Sequence, residues 1–355
     1  MTIVEFFDDE ALDNAMGAIL LKPERLVVLY AAERCDGFVK ALDKILKKRN
    51  IKTEIFLEKV DISTIDGAKA KLEELVKRFP DCDFDIAGGS DIMLVAIGEI
   101  AKKYSLPLHC VDVRKRSVNA VGAQRTYEVF DTALGVNELI DLHGGRCSNE
   151  TREKEACVWE RNIESEKDIE KIWDICKMNP AEWNSTLGKG RGGNFEKSPP
   201  IWNKLRMESL VYKHDGVIRF KNDLIRYLLA RQGTALEMYT FICAKAADYF
   251  DDGQSGALLD WKGRREVENE IDVLLTKGAV GYFISCKNGM VDSDELYTLN
   301  TVASRFGGRY AKKILVLSFF EPDRSFMQRA DALGIKVIKN ARYLKKKDLA
   351  KRLMI

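Results

Sequence analysis

The sequence predicts an α/β protein with two domains and a connector between them. Up to about residue 140, apolar strand patterns alternate with helical patterns, which is typical of a parallel, doubly wound sheet. From about residue 226 onward, an apolar helix, several strands and further helices form a second α/β pattern. A chain of 355 residues with 46% hydrophobic residues can bury two separate cores. We therefore expect domains at 1–140 and 226–355, with 141–225 as the connector.

Composition argues against several classes of protein. The formal net charge is +2 with 32% charged residues, so any nucleic-acid binding has to use a local patch. The eight cysteines show no CxxC spacing and the three histidines are far apart, which argues against a disulfide scaffold and a histidine-rich zinc site. The chain begins without a basic and then apolar leader and has no apolar run of roughly 18 residues. We expect a soluble, cytoplasmic protein without a membrane segment.

The first domain begins with a strand pattern at TIVEFF, followed by a helical pattern that Asp8 or Asp9 can cap. Residues Arg25–Ala32 are predicted to form an apolar strand buried on both faces, and Phe38–Asn50 its crossover helix. Further strand and helix patterns lead to a strand predicted over Asp83–Gly89 and a helix after it. In parallel sheets of this type, ligands bind outside the carboxyl ends of the strands.

The turn IAGGSDIM is the informative point of this domain. Gly88 and Gly89 end a buried strand pattern, and Ser90 and Asp91 begin a helix, so free backbone N–H groups and the positive helix end would face a bound group. A phosphate or a ribose suits such a turn, although the same pattern is common in loops without a ligand. The turn is neither a dinucleotide-binding GxGxxG motif nor a Walker loop.

The order VEFF, KPERLVVLYA and DFDIAGGSDIMLVAIG resembles a CARF domain, the Rossmann-like sensor of cyclic oligoadenylates in type III CRISPR defence. The resemblance implies that three loops bind the ligand at the two-fold axis of a homodimer. The ligand-binding residues would be Phe7, Asp8, Asp9, Ala31, Ala32, Glu33, Arg34, Gly88, Gly89, Ser90 and Asp91. A cyclic tetra-adenylate is itself two-fold symmetric, so an isologous dimer offers the same surface to each half of it.

The connector is rich in charge and tryptophan and contains helical patterns. Its polar stretch Asn184–Pro200 includes GKGRGG, which we interpret as a mobile loop; the alternative is a phosphate-contacting loop that uses Lys189 and Arg191. Residues Leu210–Phe220 are predicted to form a hairpin around an Asp-Gly turn. Helices plus a hairpin form either a winged-helix-like module or a spacer.

Three segments of the second domain carry candidate catalytic side chains. A helix predicted over Gly233–Ala244 carries Glu237, a strand predicted over Asn269–Leu275 carries Asp272, and a strand predicted over Val280–Gly289 carries Lys287. Short turns join the strands, so the two carboxylates and the amine can converge at one sheet edge. Carboxylates hold a hard divalent cation and a lysine can position the attacking water, as metal-assisted phosphodiester hydrolysis requires. The alternative for Asp272 is a simple salt bridge to Lys287.

This order resembles the core of the PD-(D/E)XK nuclease superfamily. The matching residues are Gly233 and Glu237 of GxxxE, Glu270 and Asp272 of EID, and Ser285 and Lys287 of SxK. The resemblance implies that Glu237, Asp272, Ser285 and Lys287 are catalytic. It also implies that Mn²⁺ or Mg²⁺ is held by acids from the set Asp272, Glu237, Glu270 and Glu295.

Ser285 departs from the family pattern, which has Glu or Asp at this position. Glu295, or else Asp292 or Asp294, could supply the missing acid from the following helix. Glu270 is a second candidate, because residues two apart on a strand share a face. The alternative interpretation of Glu295 is a solvated acid at the start of a helix, and Glu237 could likewise lie on a surface face of its own helix.

Arg264 and Arg265 precede the acidic strand and could neutralise substrate phosphates, although surface arginines are common. The basic tail RYLKKKDLAKR is either a solvated amphipathic helix or a grip on nucleic acid. Cys286 should point away from the site by strand alternation, and we expect no nucleophilic role for it.

Together the two halves resemble the CARF nucleases of type III CRISPR systems. The resemblance implies a cyclic tetra-adenylate-activated, Mn²⁺- or Mg²⁺-dependent endonuclease that is a homodimer and cleaves DNA, RNA or both. One alternative is a repair or restriction-type nuclease that is active without a cyclic ligand. Another is a ligand-sensing regulator whose nuclease-like half only binds nucleic acid, and Ser285 is the residue that favours it.

Overall fold

The computed structural model describes residues 1–8, 10–32, 35–121, 126–127, 132–149, 163–187, 198–261 and 264–354. Within these ranges, only the backbone is described at 126–127, 149, 163, 261 and 264–268. The chain divides into two compact units. The first contains Met1–Arg146 and Phe306–Tyr310, and the second contains Cys147–Arg305 and Ala311–Ile355.

The first unit is built on a seven-stranded sheet. Its strands are β1 (Thr2–Phe6), β2 (Arg25–Tyr30), β3 (Glu54–Lys59), β4 (Cys82–Asp85), β5 (Leu108–Asp112), β6 (Ser117–Val121) and β7 (Thr126–Tyr127). The strand order is β3-β2-β1-β4-β5-β6-β7, in which the first five strands are parallel and the last two pair antiparallel. Its helices are α1 (Ala11–Leu21), α2 (Asp36–Lys48), α3 (Ile65–Arg78), α4 (Asp91–Tyr104) and α5 (Val136–Leu142).

Local sequence explains these elements. The strand β2 is apolar along its length, and Leu26–Leu29 are fully buried, as expected for a central parallel strand. The side chain of Ser90 accepts a hydrogen bond from Met93 N and so caps α4. Two details differ from the sequence prediction: β4 ends at Asp85, before the Gly88-Gly89 turn, and Asp8 does not cap α1, whose N-cap residue is Glu10.

The second unit contains a six-stranded sheet and a separate hairpin. The sheet has β8 (Gly145–Asn149), β11 (Asp252–Trp261), β12 (Arg264–Lys277), β13 (Val280–Lys287), β14 (Lys312–Leu317) and β15 (Ile335–Ile338), in the order β15-β14-β13-β12-β11-β8. The hairpin pairs β9 (Val211–His214) with β10 (Val217–Phe220), as the sequence predicts. The strand β12 pairs antiparallel with both neighbours, whereas β13, β14 and β15 are parallel.

Eight helices occur in the described part of the second unit. They are α6 (Ile163–Cys176), α7 (Pro180–Leu187), α8 (Pro199–Met207), α9 (Asp223–Leu228), α10 (Thr234–Ala246), α11 (Asp294–Gly307), α12 (Arg324–Ala332) and α13 (Lys346–Leu353). The glycine-rich residues 188–197 of the connector lie outside the described residues, with Lys189 and Arg191 among them. No helix in the described ranges is long and apolar enough to cross a membrane.

The connector helices share one hydrophobic core with the C-terminal sheet. Trp173 of α6 and Trp183 of α7 are fully buried and belong to the same cluster as Phe241 of α10 and Ile284 of β13. The Trp173 ring stacks on Tyr239 of α10, with 5.2 Å between ring centroids. The helix that carries Glu237 is therefore packed against the connector as well as against the sheet.

Replacing Trp173 by Ala should lower the free energy of unfolding of the second unit by about 3–5 kcal/mol, because a fully buried indole is removed from this shared core. Chemical unfolding followed by far-UV circular dichroism measures the change. The control is Met207→Ala, whose side chain is 83% exposed and whose loss should cost less than about 0.5 kcal/mol. An unchanged unfolding midpoint for Trp173→Ala would contradict a shared core.

Candidate active site

Four elements of the second unit bring the candidate catalytic residues together. The register of β12 and β13 places Val273 opposite Ile284, so Asp272 and Ser285 are neighbours across the two strands. Lys287 is two residues further along β13, on the same face as Ser285. Glu295 lies in the first turn of α11, which follows β13 after a short loop.

Ser285 joins two acids. Its hydroxyl lies 2.7 Å from Glu295 Oε1 and 3.1 Å from Asp272 Oδ2. A hydroxyl carries one proton, so both contacts can be hydrogen bonds at the same time only when one of the acids is protonated. The backbone N–H of Cys286 donates a further hydrogen bond of 2.6 Å to Asp272 Oδ2. Lys287 Nζ forms an ion pair of 2.9 Å with Glu295 Oε2.

Glu237 is placed by a close approach to Gly233. A Cβ added at position 233 would lie 2.6 Å from Glu237 Oε1, so any side chain at this position would displace the carboxylate. The backbone of Gly233 has an ordinary negative φ, so its conformation does not require a glycine. The glycine of GxxxE is needed because the Glu237 carboxylate occupies the space of a side chain. No hydrogen bond or ion pair holds the Glu237 carboxylate within the residues that the structure describes. The sequence motif gave no indication of this packing role for the glycine.

The acids raise one another's pKa values. Burial raises the pKa of Asp272 to about 6, although the charge of Lys287 and the hydrogen bonds from Cys286 N–H and Ser285 act in the opposite direction. Burial and the charges of Asp272 and Glu270 raise the pKa of Glu237 well above its usual value. Burial is the largest cause in both cases, so the ionised forms of Asp272 and Glu237 are unfavourable in this site without a further cation.

Lys287 stays protonated at neutral pH. Burial alone would lower the pKa of its amine, but the charges of Asp272 and Glu295 outweigh that effect and raise it. A lysine with a raised pKa is a cationic hydrogen-bond donor and not a general base near neutral pH.

The other predicted acids lie at the margin of this cluster. Glu270 is 46% exposed and lies 3.8 Å from Arg231, in a weak surface ion pair. Asp292 accepts a hydrogen bond from the backbone N–H of Asp294 before α11, and both side chains are exposed. Arg264 and Arg265 lie at the start of β12, but their side chains are outside the described residues. Cys286 points away from Lys287, since its buried thiol contacts Thr240 of α10.

No three Asp, Glu, His or Cys side chains in the described ranges converge closely enough to hold a metal ion in this arrangement. Instead, the two carboxylate oxygens of Glu295 contact the Ser285 hydroxyl and Lys287 Nζ. The donor set nevertheless suits a hard divalent cation, because Asp272, Glu295 and Glu237 offer carboxylate oxygens and repel one another.

In the first unit, the order β2-β1-β4 brings the predicted ligand loops to one edge of the sheet. Asp8 Oδ2 accepts a hydrogen bond of 2.8 Å from Gly89 N, and a Cβ at Gly88 would lie 3.0 Å from Asp8 Oδ1. Gly89 has a φ of +129°, which only glycine adopts without strain. The N–H of Gly89 is therefore not free for a ligand, in contrast to the expectation from sequence.

The remaining residues of the predicted ligand site are only partly described. Phe7 packs on Phe38 with ring centroids 4.7 Å apart, and Ser90 caps α4, in whose first turn Asp91 lies. Ala31 and Ala32 follow β2. Asp9, Glu33 and Arg34 lie outside the described residues.

Replacing Asp272 by Asn should stabilise the protein in EDTA near neutral pH. The pKa of Asp272 is higher in the folded protein than in the unfolded chain, so its ionisation opposes folding as the pH rises from about 4 to about 6. The melting temperature of Asp272→Asn should exceed that of the wild type by a few degrees at about pH 7.5 and equal it near pH 4. Equal melting temperatures at both pH values would rule out an uncompensated charge at Asp272.

The part of the chain that contains this site is similar to a known family. Residues 224–353 match the family described as "Card1-like, endonuclease domain". The structure of Can2 from Sulfobacillus thermosulfidooxidans, in complex with cyclic tetra-adenylate, matches with a TM-score of 0.76 and 17% identity, covering 100% of this chain and 99% of that one. Protein VC1899 from Vibrio cholerae matches with a TM-score of 0.78 and 19% identity, covering 99% of this chain and 96% of that one. No curated protein matches significantly in sequence.

At these identities the solved structures show the fold alone. They confirm the predicted fold class, which is an α/β chain with two parallel-rich sheets, the first of them Rossmann-like. Residues 224–353 are similar to the Card1-like endonuclease domain family, and the chain as a whole is similar in fold to Can2 and VC1899.

Proposed function

We propose that this protein is a cyclic tetra-adenylate-activated endonuclease of type III CRISPR defence that uses Mn²⁺ or Mg²⁺ to cleave DNA, RNA or both. The observation that carries the proposal is the cluster of Asp272, Ser285, Lys287 and Glu295 at one sheet edge of a Card1-like endonuclease domain. A simple structural salt bridge would not need three acids, Asp272, Glu295 and Glu237, near one lysine, because the additional like charges cost stability.

The residues that would hold the cation are Asp272, Glu237 and Glu295, with Glu270 as a further carboxylate on the face of Asp272. When bound, Mn²⁺ or Mg²⁺ supplies a Lewis acid for phosphodiester hydrolysis and neutralises charge on the phosphate. Glu237 suits this role because its carboxylate has no hydrogen-bond or ion-pair partner among the described residues. The raised pKa values of Glu237 and Asp272 mean that neutralising their charge is favourable.

The chain's own residues would prepare the substrate. Lys287, which is cationic at neutral pH, would donate hydrogen bonds to the attacking water or to a phosphate oxygen and would stabilise the charge that develops there. Ser285 would hold Glu295 and Asp272 at a fixed separation through its hydroxyl. Glu295 would in this way supply the acid that the family pattern has at position 285.

The sensor half would gate this chemistry. Can2 binds cyclic tetra-adenylate in a structure that matches this chain over its full length, which supports the same ligand here. The ring is two-fold symmetric, so a homodimer would contact each half with the same loops. A ligand that binds one dimer arrangement more tightly than the other shifts the population toward it, and a coupling of about 1–3 kcal/mol changes that equilibrium roughly 5- to 150-fold.

Purified wild-type protein should cleave plasmid or single-stranded nucleic acid when cyclic tetra-adenylate and Mn²⁺ are both present. EDTA, or omission of the cyclic ligand, should reduce cleavage to background, and Lys287→Ala should lose at least about 100-fold in kcat because a positioned donor is removed. Gel assays of initial rates measure this. Cleavage without the ligand would indicate a constitutive nuclease, and binding without cleavage in Mn²⁺ would indicate a regulator.

Glu295→Gln should reduce cleavage by roughly 10- to 1,000-fold, whereas the matched control Asp294→Asn, one residue earlier in the same helix turn, should change it less than about twofold. The difference follows from geometry, since Glu295 contacts Ser285 and Lys287 while Asp294 is exposed. Comparable cleavage rates for the two variants under activating conditions would exclude Glu295 as the additional acid of the site. Glu270 would then be the candidate, and Glu270→Gln would test it.

A further inference from the structure

We propose that Asn184 is a positioning residue for the active site, which with Asn288 and Gln232 sets the spacing between Lys287 and Glu237. The inference rests on the proposed nuclease function. None of the three amides belongs to the PD-(D/E)XK pattern, and Asn184 lies more than 40 residues from any residue of that pattern in the sequence.

Asn184 of α7 and Asn288 form a reciprocal pair. Asn288 Nδ2 donates a hydrogen bond of 3.1 Å to Asn184 Oδ1, and Asn184 Nδ2 donates one to the backbone carbonyl of Asn288. Asn288 directly follows Lys287, the last residue of β13, so the sheet ladder no longer holds the chain at this point. The Asn184 side chain takes over that role and fixes the backbone immediately beyond the lysine.

The same residue also fixes the start of α10. Gln232 Nε2 donates a hydrogen bond of 2.8 Å to the backbone carbonyl of Asn184, and Asn288 Nδ2 approaches the Gln232 carbonyl at 3.5 Å. Gln232 is followed by Gly233, against which the Glu237 carboxylate lies. The end of the Lys287 strand is thus bonded to the Asn184 side chain, and the start of the Glu237 helix is bonded to the Asn184 backbone and to the Asn288 side chain.

The energetics favour a role beyond packing. Asn288 is only 5% exposed, and its Oδ1 is a buried acceptor without a hydrogen-bond partner in the described structure. A buried polar atom left unpaired costs about 1–3 kcal/mol, so Asn288 carries a cost that an apolar side chain would not have. What an apolar residue lacks is the donor group that reaches Asn184, Gln232 and the Cys176 thiol.

Loss of the network should move Lys287 relative to its acids. Lys287 pairs with Leu317 of β14 and forms an ion pair of 2.9 Å with Glu295, but it is the last residue of β13. If the chain just beyond it shifts, the distance between the Lys287 amine and the Glu237 carboxylate changes. We then expect kcat to fall with little change in KM, and the fall to persist when stability is restored.

The test compares the wild type with Asn184→Leu and with the control Ser185→Ala, an exposed neighbour on α7 whose hydroxyl donates to the Glu182 carbonyl of that helix. Cleavage is measured with cyclic tetra-adenylate and Mn²⁺ at one fixed pH over a range of substrate concentrations. Asn184→Leu should lower kcat roughly 10- to 100-fold with little change in KM. Ser185→Ala should retain the wild-type kcat and KM.

A second variant separates positioning from folding. In Asn184→Leu/Asn288→Leu the two asparagines are removed together, so much of the stability lost in the single variant should return while the loss of kcat persists. An unchanged kcat in Asn184→Leu, or a kcat that returns together with the melting temperature in the double variant, would overturn the inference. If the wild type does not cleave, the proposed function fails, and crystal structures of the wild type and Asn184→Leu still decide: an equal distance between Lys287 Nζ and the Glu237 carboxylate overturns the inference, and a changed one supports it.

Discussion

The candidate site depends on one constraint, which is the electrostatic free energy needed to place several carboxylates beside one another at the end of the pairing between β12 and β13 in an apolar sheet. Asp272 lies on a strand whose neighbours Ile271 and Val273 are buried, and Glu237 and Glu295 approach it from two helices. One cation, one backbone N–H and one hydroxyl offset part of that charge. A fourth carboxylate at Ser285 would add to the repulsion. Serine at this position instead gives a neutral group that can contact two acids.

Sequence patterns were sufficient for the parts of the site that lie on regular elements. Strand alternation placed Ser285 and Lys287 on one face, and antiparallel pairing of consecutive strands brought Asp272 beside them. The contact of Glu295 with Ser285 agrees with the expectation that the next helix brings an acid to this position. The amides of Asn184, Gln232 and Asn288 could not be found in this way. Loops and long-range packing bring them together, and such contacts leave no helical or strand periodicity in the sequence. The same limit explains why the end of β4 was placed four residues too late.

In the predicted ligand turn of the first unit, a glycine is required by the backbone conformation as expected, but the N–H of Gly89 is not free. The glycines are there for backbone geometry, as Gly89 demonstrates with its positive φ. The N–H that a phosphate would use is already satisfied by Asp8. An anionic ring that enters this turn would therefore meet a carboxylate and have to break its bond to Gly89, so part of the binding free energy would be spent on moving the loop after β1.

The tryptophans of α6 and α7 have a further consequence for how the molecule can be divided. Because Trp173 and Trp183 complete the same core as α10 and β13, a fragment that starts at residue 226 would expose the apolar surface these rings cover. Such a fragment would be prone to self-association before it could support chemistry. The smallest piece of the C-terminal half that can fold by itself therefore includes α6 and α7.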